Sequence, residues 1–456
     1  MFIIMKRFKW FVLIAFFPMA YLNAQNCDIH FRDMINRNEW FTLDKEYALR
    51  KDSIKAPELR LWAKSLLNTY FNRPDSAINS IGCLLANYED KIGFYNVVGM
   101  FRYKLSQLAV QRRYNVILEE LDKFLNKFSA HLSLEDLNLF RDMQKDYKAL
   151  RAAKSPKIVK LYRNIEIPFG TLNINFTITK EDKNVEHSNA LIGLVKVKIH
   201  GKTYVFVLDT GSETTCIFDH TAKQLGLCYL QDSINLLGVK KAFGMAAMLD
   251  SLSLSGLSIS DLMITIEDNP FLKMADSQSQ KADIEQHLHG ILGLDIIRRL
   301  GELQLYPYDR KIVIPAKETD LPEAGRNMFM SVNNYLVIRA YNKSRSMAFH
   351  LDTGSTDSKL FKSYYLKNKI EIDGKLKKMN EFSGGIGGSK TNCVYLMPSL
   401  NLTVGLTSFS LNNLSINTQN PYAIEFPTDG SLGMDFIMSF NKITLNMNKM
   451  FIVLEK

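Results

Sequence analysis

Dense runs of lysine and arginine interleaved with aromatic residues are missing from this 456-residue chain. The net charge of +10 is a mild excess for that length, a solvated basic surface with no nucleic-acid footprint. Histidine (8) and cysteine (5) are scarce, and no His/Cys cluster has the spacing of a metal site. No metal and no cofactor are expected. Glycine (24) and proline (12) stand at ordinary levels, which argues against a long disordered segment. Beyond the N-terminus no apolar stretch is long enough to span a membrane.

What the first residues do contain is a signal for export. Lys6-Arg7-Phe8-Lys9 is a positive leader, and Trp10 to Leu22 is an apolar core too short to span comfortably. Leu22-Asn23-Ala24 supplies a small residue before a cleavage point, so residues 1–24 are read as a signal peptide. The mature chain then starts at Gln25 and works in the periplasm or outside the cell. Lipid attachment at Cys27 is disfavoured, because Gln25-Asn26 is not the small-residue lead such a site wants. In an oxidising compartment Cys216–Cys228 and Cys27–Cys83 are open to pairing, and all five cysteines are equally open to being small buried hydrophobes.

Residues 25–155 carry apolar positions at three- and four-residue spacing, as in Leu59, Leu66, Leu67, Tyr70 and in Leu118, Leu121, Phe124, Leu125. These are amphipathic helices. Arg73–Asn87 can be laid over Arg112–Asn126 at an offset of 39, which points to helical hairpins, of a degenerate tetratricopeptide kind, with an irregular bundle as the alternative. Ser133 is an N-cap candidate for a last helix running to about Ala152. An array of this kind offers a surface for a protein partner.

After Ser155-Pro156 the period changes to two, through Leu172, Ile174, Phe176 and Ile178. Residues 156–185 read as a linker with leading strands. Two hairpins then each deliver a strand into the same tetrapeptide. Val205-Phe206-Val207-Leu208 runs into Asp209-Thr210-Gly211-Ser212, and Met347-Ala348-Phe349-His350-Leu351 runs into Asp352-Thr353-Gly354-Ser355. A second pair of motifs follows in the same order, Ile291-Leu292-Gly293 and Ser431-Leu432-Gly433, each leading to a closing hairpin. The first motifs lie 143 residues apart (209 to 352) and the second 140 apart (290 to 430). Near-equal offsets indicate two homologous lobes, 186–316 and 328–456, in one chain able to act as a monomer.

Two carboxyls brought together this way cannot both ionise and share one proton, which equips them to hydrolyse a peptide bond with water. Gly211 and Gly354 leave room for the two loops to meet. Thr210 and Thr353 can reach across to the opposite loop, and Ser212 and Ser355 can bond the outer carboxylate oxygens.

In these residues the chain resembles the retropepsin-like aspartic peptidases in their bacterial two-lobed form. The resemblance covers residues 186–456 and implies an all-β, two-lobed acid-protease barrel fold preceded by the all-α helical-hairpin region. It implies Asp209 and Asp352 as catalytic residues and a peptide or protein as substrate. It also implies flaps over the cleft. Phe382–Gly388, with Gly385, Ile386 and Gly387, resembles a glycine-rich flap tip, and Leu237–Gly244, with Gly238 and Phe243, holds the matching place in the first lobe. The flap tyrosine of pepsin-like enzymes is not seen. A peptide-binding scaffold without activity, and an interaction protein acting through its helices, are the alternative readings. His350 alternates with Leu351 and should point away from Asp352. Asp295 and Asp435 are expected to cap or pack, and His287 and His289 lack a third ligand.

Overall fold

A computed structural model describes residues 25–159, 162–179, 185–273, 275, 277–331, 333–420, 422 and 428–456. The expected export signal, residues 1–24, lies outside them. Among the described residues no helix is long and apolar enough to cross a membrane.

The N-terminal region is helical. It comprises α1 (Gln25–Asn36), α2 (Trp40–Arg50), α3 (Pro57–Tyr70), α4 (Pro74–Ile92), α5 (Phe94–Val110), α6 (Tyr114–Phe128) and α7 (Leu134–Leu150). The helices pair as hairpins, and the three turns α1–α2, α3–α4 and α5–α6 share one geometry. Each places a residue at positive φ two positions before the next helix: Asn38 (56°), Asn72 (55°) and Arg112 (58°). In each, the following amide reaches back five residues to a helix carbonyl, Glu39 to Met34, Arg73 to Asn68 and Arg113 to Leu108. That bond satisfies a carbonyl the helix end would leave open. The three turns recur at offsets of 34 (Asn38 to Asn72) and 40 (Asn72 to Arg112), so the offset of 39 expected between the second and third is one residue short. Arg73 matches Arg113, the residue that likewise precedes its helix, and the adjacent Arg112 allowed the one-residue slip. Ser133 caps α7 by accepting from the Asp136 amide at 3.1 Å.

The β-rich part forms two sheets. In the first, the strand path runs Val185–Ile199, Lys202–Leu208, Gly290–Leu292, Cys216–Phe218, Leu257–Glu267, Lys241–Leu254, Cys228–Leu237. In the second it runs Leu336–Asn342, Arg345–Leu351, Gly430–Leu432, Lys359–Leu360, Thr407–Asn417, Gly388–Val404, Lys377–Gly385. The two paths correspond strand for strand, parallel pairs included: Leu208 faces Leu292 as Leu351 faces Leu432. Such an order cannot be made by hairpins alone, because parallel neighbours need a crossover.

The closing hairpins join the repeats. Glu302–Tyr306 pairs antiparallel with Lys442–Asn446, placing Leu303 against Leu445 and Leu305 against Ile443. The strand Ile165–Thr179 adds to Lys311–Ile314 on one side and to Val185–Ile199 on the other. One buried apolar cluster runs from Phe31 and Tyr70 in the helices through Leu303 and Leu445 to Phe436 and Phe440. At about 25 cal/mol per Å² of apolar surface removed from water, that continuity is the main force holding the three parts together.

Candidate active site

Each tetrapeptide begins where a buried strand ends. Lys202–Leu208 and Arg345–Leu351 bury their last three residues, so the chain must turn where the first polar residue, Asp209 or Asp352, arrives. The apolar-apolar-Gly elements lie parallel alongside. Asp209 N donates to Leu292 O at 3.1 Å and Asp352 N to Leu432 O at 2.9 Å. Glycine follows for steric reasons. A Cβ on Gly293 would lie 2.5 Å from the Thr214 carbonyl, and one on Gly433 would lie 2.8 Å from the Ser355 carbonyl oxygen. Either would push the loop away from its support.

The two loops meet through their threonines. Thr210 Oγ1 donates to Leu351 O (2.8 Å) and accepts from Thr353 N (3.1 Å). Thr353 Oγ1 donates to Leu208 O (2.7 Å) and accepts from Thr210 N (3.0 Å). Both side chains are buried, so all four bonds are shielded from water. The glycines fit a space that nothing larger can share. A Cβ on Gly354 would stand 2.5 Å from the Asp209 carboxyl, and one on Gly211 would collide with Asp352. The two carboxyls thus face each other across the meeting loops.

The serines do something else than expected. Ser212 Oγ donates to Thr214 O at 2.9 Å and Ser355 Oγ to Asp357 O at 3.1 Å, so neither hydroxyl reaches a carboxylate. Each closes a short local turn, which Ser and Thr hydroxyls do readily. Backbone amides orient the carboxyls instead. Asp209 Oδ1 accepts from Gly211 N (2.7 Å) and Ser212 N (3.2 Å), and Asp352 Oδ1 accepts from Gly354 N (3.1 Å).

Burial raises both carboxyls above the ordinary range. Asp209 is held back by the amides of Gly211, Ser212 and Gly354. Asp352 is raised by burial first and by the charge of Asp209 second. The arrangement favours one shared proton, with Asp209, which accepts two backbone amides to the one of Asp352, the better hydrogen-bonded anion.

Three nearby groups escaped the sequence reading. Glu267 ends the buried strand Leu257–Glu267 and is pushed up to about 7 by burial, with Cys216 opposing and Asp209 adding to the rise. A charged residue closing an apolar run was the available signal. Lys359 occupies in the second repeat the place of Cys216 in the first, and pairs with Glu381 at 3.2 Å. Tyr422 lies close enough to both aspartates for their charge, after burial, to raise its hydroxyl. No motif marks it.

The hairpins Cys228–Leu237/Lys241–Leu254 and Lys377–Gly385/Gly388–Val404 carry Gly238, Gly385, Ile386 and Gly387 at their tips and Phe243 two residues into the returning strand. The tips touch. Lys240 N donates to Ile386 O at 3.3 Å, and a Cβ on Gly238 would lie 2.7 Å from Ile386 Cβ. Gly387, at φ 83°, is packed on the Lys240 carbonyl, and a Cβ on Gly385 would lie 3.2 Å from Val239. Phe243 is not part of this contact and is 75% exposed.

The remaining candidates have structural surroundings. His350 is buried, its ring 5.1 Å from that of Tyr335, and burial lowers it to about 3, which keeps it neutral. His287 bonds Asp283, and His289 Nδ1 accepts from Val205 N. Among the described residues no group of His, Cys, Asp and Glu is arranged to hold a metal. The five cysteines are free: Cys27 and Cys216 are buried, while Cys83, Cys228 and Cys393 are exposed. Neither bridge forms, and Cys216 instead faces Glu267 from the neighbouring strand. Asp295 and Asp435 take equivalent positions. Asp295 Oδ1 accepts from Thr215 N and Oγ1 (both 2.8 Å), and Asp435 Oδ1 accepts from Ser358 N (2.9 Å) and Oγ (2.7 Å).

Residues 195–296 match the family model described as Aspartyl protease, a stretch that includes Asp209, Gly293 and Asp295. This supports the resemblance to the pepsin and retropepsin-like aspartic peptidases read from the doubled motif. No curated protein matches the chain. Among solved structures the chain is similar to basic 7S globulin from soybean, with 8% identity and TM-score 0.35 over 64% of this chain and 96% of that one. It is also similar to conglutin gamma, a basic 7S globulin from lupine seeds, with 9% identity and TM-score 0.36 over 64% and 94%. A third is edgp, at 7% identity and TM-score 0.32 over 64% and 95%. These likenesses are too distant to carry a functional argument.

Proposed function

We propose that the protein is an exported aspartic endopeptidase whose two sheets are the two lobes of an acid-protease fold. The observation that carries this reading is the reciprocal Thr210–Thr353 linkage, which ties together the two loops that bear Asp209 and Asp352. Asp209, favoured as the anion by its amide donors, takes a proton from the attacking water. Asp352, kept protonated, donates to the carbonyl oxygen of the scissile bond. The proton gained by Asp209 then passes to the leaving nitrogen as the C–N bond breaks, and one hydroxyl of the tetrahedral carbon returns its proton to Asp352 as the carbonyl re-forms. An extended peptide would lie beneath the touching tips at Gly238 and Ile386, which must part to admit it. Export, followed by work in the periplasm or outside the cell, rests on the basic and apolar pattern of residues 6–22.

A peptide-library digest across pH, run with the wild type and Asp209→Asn side by side, tests this. The wild type should cleave with an optimum above the ordinary carboxyl pKa of about 4, because both carboxyls are raised. Asp209→Asn should fold and not cleave. Undiminished cleavage by that variant defeats the assignment, and peptide binding without cleavage by the wild type favours a binding scaffold instead.

A further inference from the structure

The two repeats differ behind their catalytic loops. In both, a carboxylate grips the loop from behind: Asp295 holds Thr215, and Asp435 holds Ser358. Those hydroxyls in turn accept from Gly293 N (3.2 Å) and Gly433 N (3.0 Å), tying the loop to the apolar-apolar-Gly element. Among the described residues Asp435 has no ion-pair partner. Asp295 has one, and it comes from the helical region: Arg112 Nη2 stands 3.3 Å from Asp295 Oδ2, with both side chains nearly buried. Arg112 Nη1 also donates to Tyr114 Oη at 3.0 Å.

A second link reaches the same loop. Asn72, at the equivalent turn one hairpin earlier, accepts from Arg298 Nε (3.1 Å) and Nη2 (2.6 Å). Arg298 Nη1 donates to Asn334 Oδ1 (3.2 Å), and Asn334 Nδ2 donates to Glu213 (2.8 Å), the residue after Ser212. Arg299 donates to Val110 O at the end of α5. Two of the three left-handed turns of the helical array are therefore linked to the Asp209 loop, one through Asp295 and one through Arg298 and Asn334, and among the described residues no hydrogen bond links a turn of the array to the Asp352 loop.

We propose that Arg112 is a positioning residue for Asp209. Acting through Asp295 and Thr215, it makes the helical region a structural part of the active site rather than an appended recruiting module. The proposal rests on the peptidase reading above. A buried carboxylate stripped of its cation is poorly compensated and draws in water or moves. Its grip on Thr215 loosens, and the loop that aligns Asp209 with Asp352 loosens with it. The flaps and cleft are untouched, so the effect falls on turnover and not on substrate binding.

The test measures kcat and KM on a peptide identified in the digest for the wild type, Arg112→Met, Arg112→Lys and the double variant Arg112→Met/Asp295→Asn, with thermal melts of each. Arg112→Met should lose about tenfold or more in kcat, with KM within about twofold. Arg112→Lys, which keeps the charge, should recover to within about threefold of the wild type, as should the double variant, which removes both charges. Wild-type kcat in Arg112→Met overturns the proposal. So does a lysine variant as impaired as the methionine one, which would reduce Arg112 to packing. If Arg112→Met does not fold, the double variant decides: near-wild-type kcat supports the coupling, and a tenfold loss overturns it. A wild type that cleaves nothing is a different result, the failure of the peptidase reading itself.

Discussion

Asp352 carries two burdens at once, a buried environment and a neighbouring carboxylate, and both favour its protonated form. A carboxyl raised in the folded state binds its proton more tightly there than in the unfolded chain. Its stabilising contribution is full below the unfolded pKa and is lost as pH rises through the folded one. Replacing it by asparagine removes that pH-dependent loss. Asp352→Asn should therefore melt about 3 °C or more above the wild type near pH 8, and converge with it near pH 4. Thermal melts at the two pH values check this, and a variant less stable at the higher pH would contradict it. The aspartates, threonines and glycines were legible in the sequence because an identical tetrapeptide stood twice after a buried strand. The serines were misjudged because a hydroxyl so near the chain finds a backbone carbonyl, Thr214 O or Asp357 O, before it finds the carboxylate.

Among the elements, the strand pairs were readable from alternation, since one face of each hairpin is apolar. The parallel placement of Gly290–Leu292 beside Lys202–Leu208 was not, because it joins residues more than 80 positions apart with only a glycine to mark the crossing. The tips of the two long hairpins lie between these cases: glycines marked the hairpin ends, while the contact of one tip with the other depends on the whole arrangement. That contact has a consequence for turnover. Gly238→Val would set a side chain against Ile386 and hold the tips apart, leaving the core of both sheets intact. We expect kcat/KM to fall about tenfold with melting temperature unchanged, as for other lid-like elements. Steady-state kinetics beside thermal melts would show it, and wild-type kcat/KM would argue that the tips do not close over substrate.

At the scale of the molecule, three parts of different texture share one buried cluster and several buried polar links. Asp44 of α2 accepts from the Gly325 and Arg326 amides and pairs with the Arg326 guanidinium, on the segment joining the two repeats. Asn72 donates to Met447 O in the closing hairpin of the second repeat at 2.9 Å. The helical region thus contacts the first repeat, the connecting segment and the second repeat. None of this was legible beforehand, because no motif marks Asp44, Asn72 or Arg112, and the partners of these residues lie 183 to 375 positions away. The central claim is that carboxyls from the two repeats act as one unit sharing a proton. Its most direct test is kcat on a cleaved peptide for Asp209→Asn, Asp352→Asn and the double variant, each shown to be folded. A shared function predicts that each single substitution costs as much as the pair, on the order of 10³-fold or more. A single variant that keeps substantial turnover, or losses that multiply in the double variant, would contradict it.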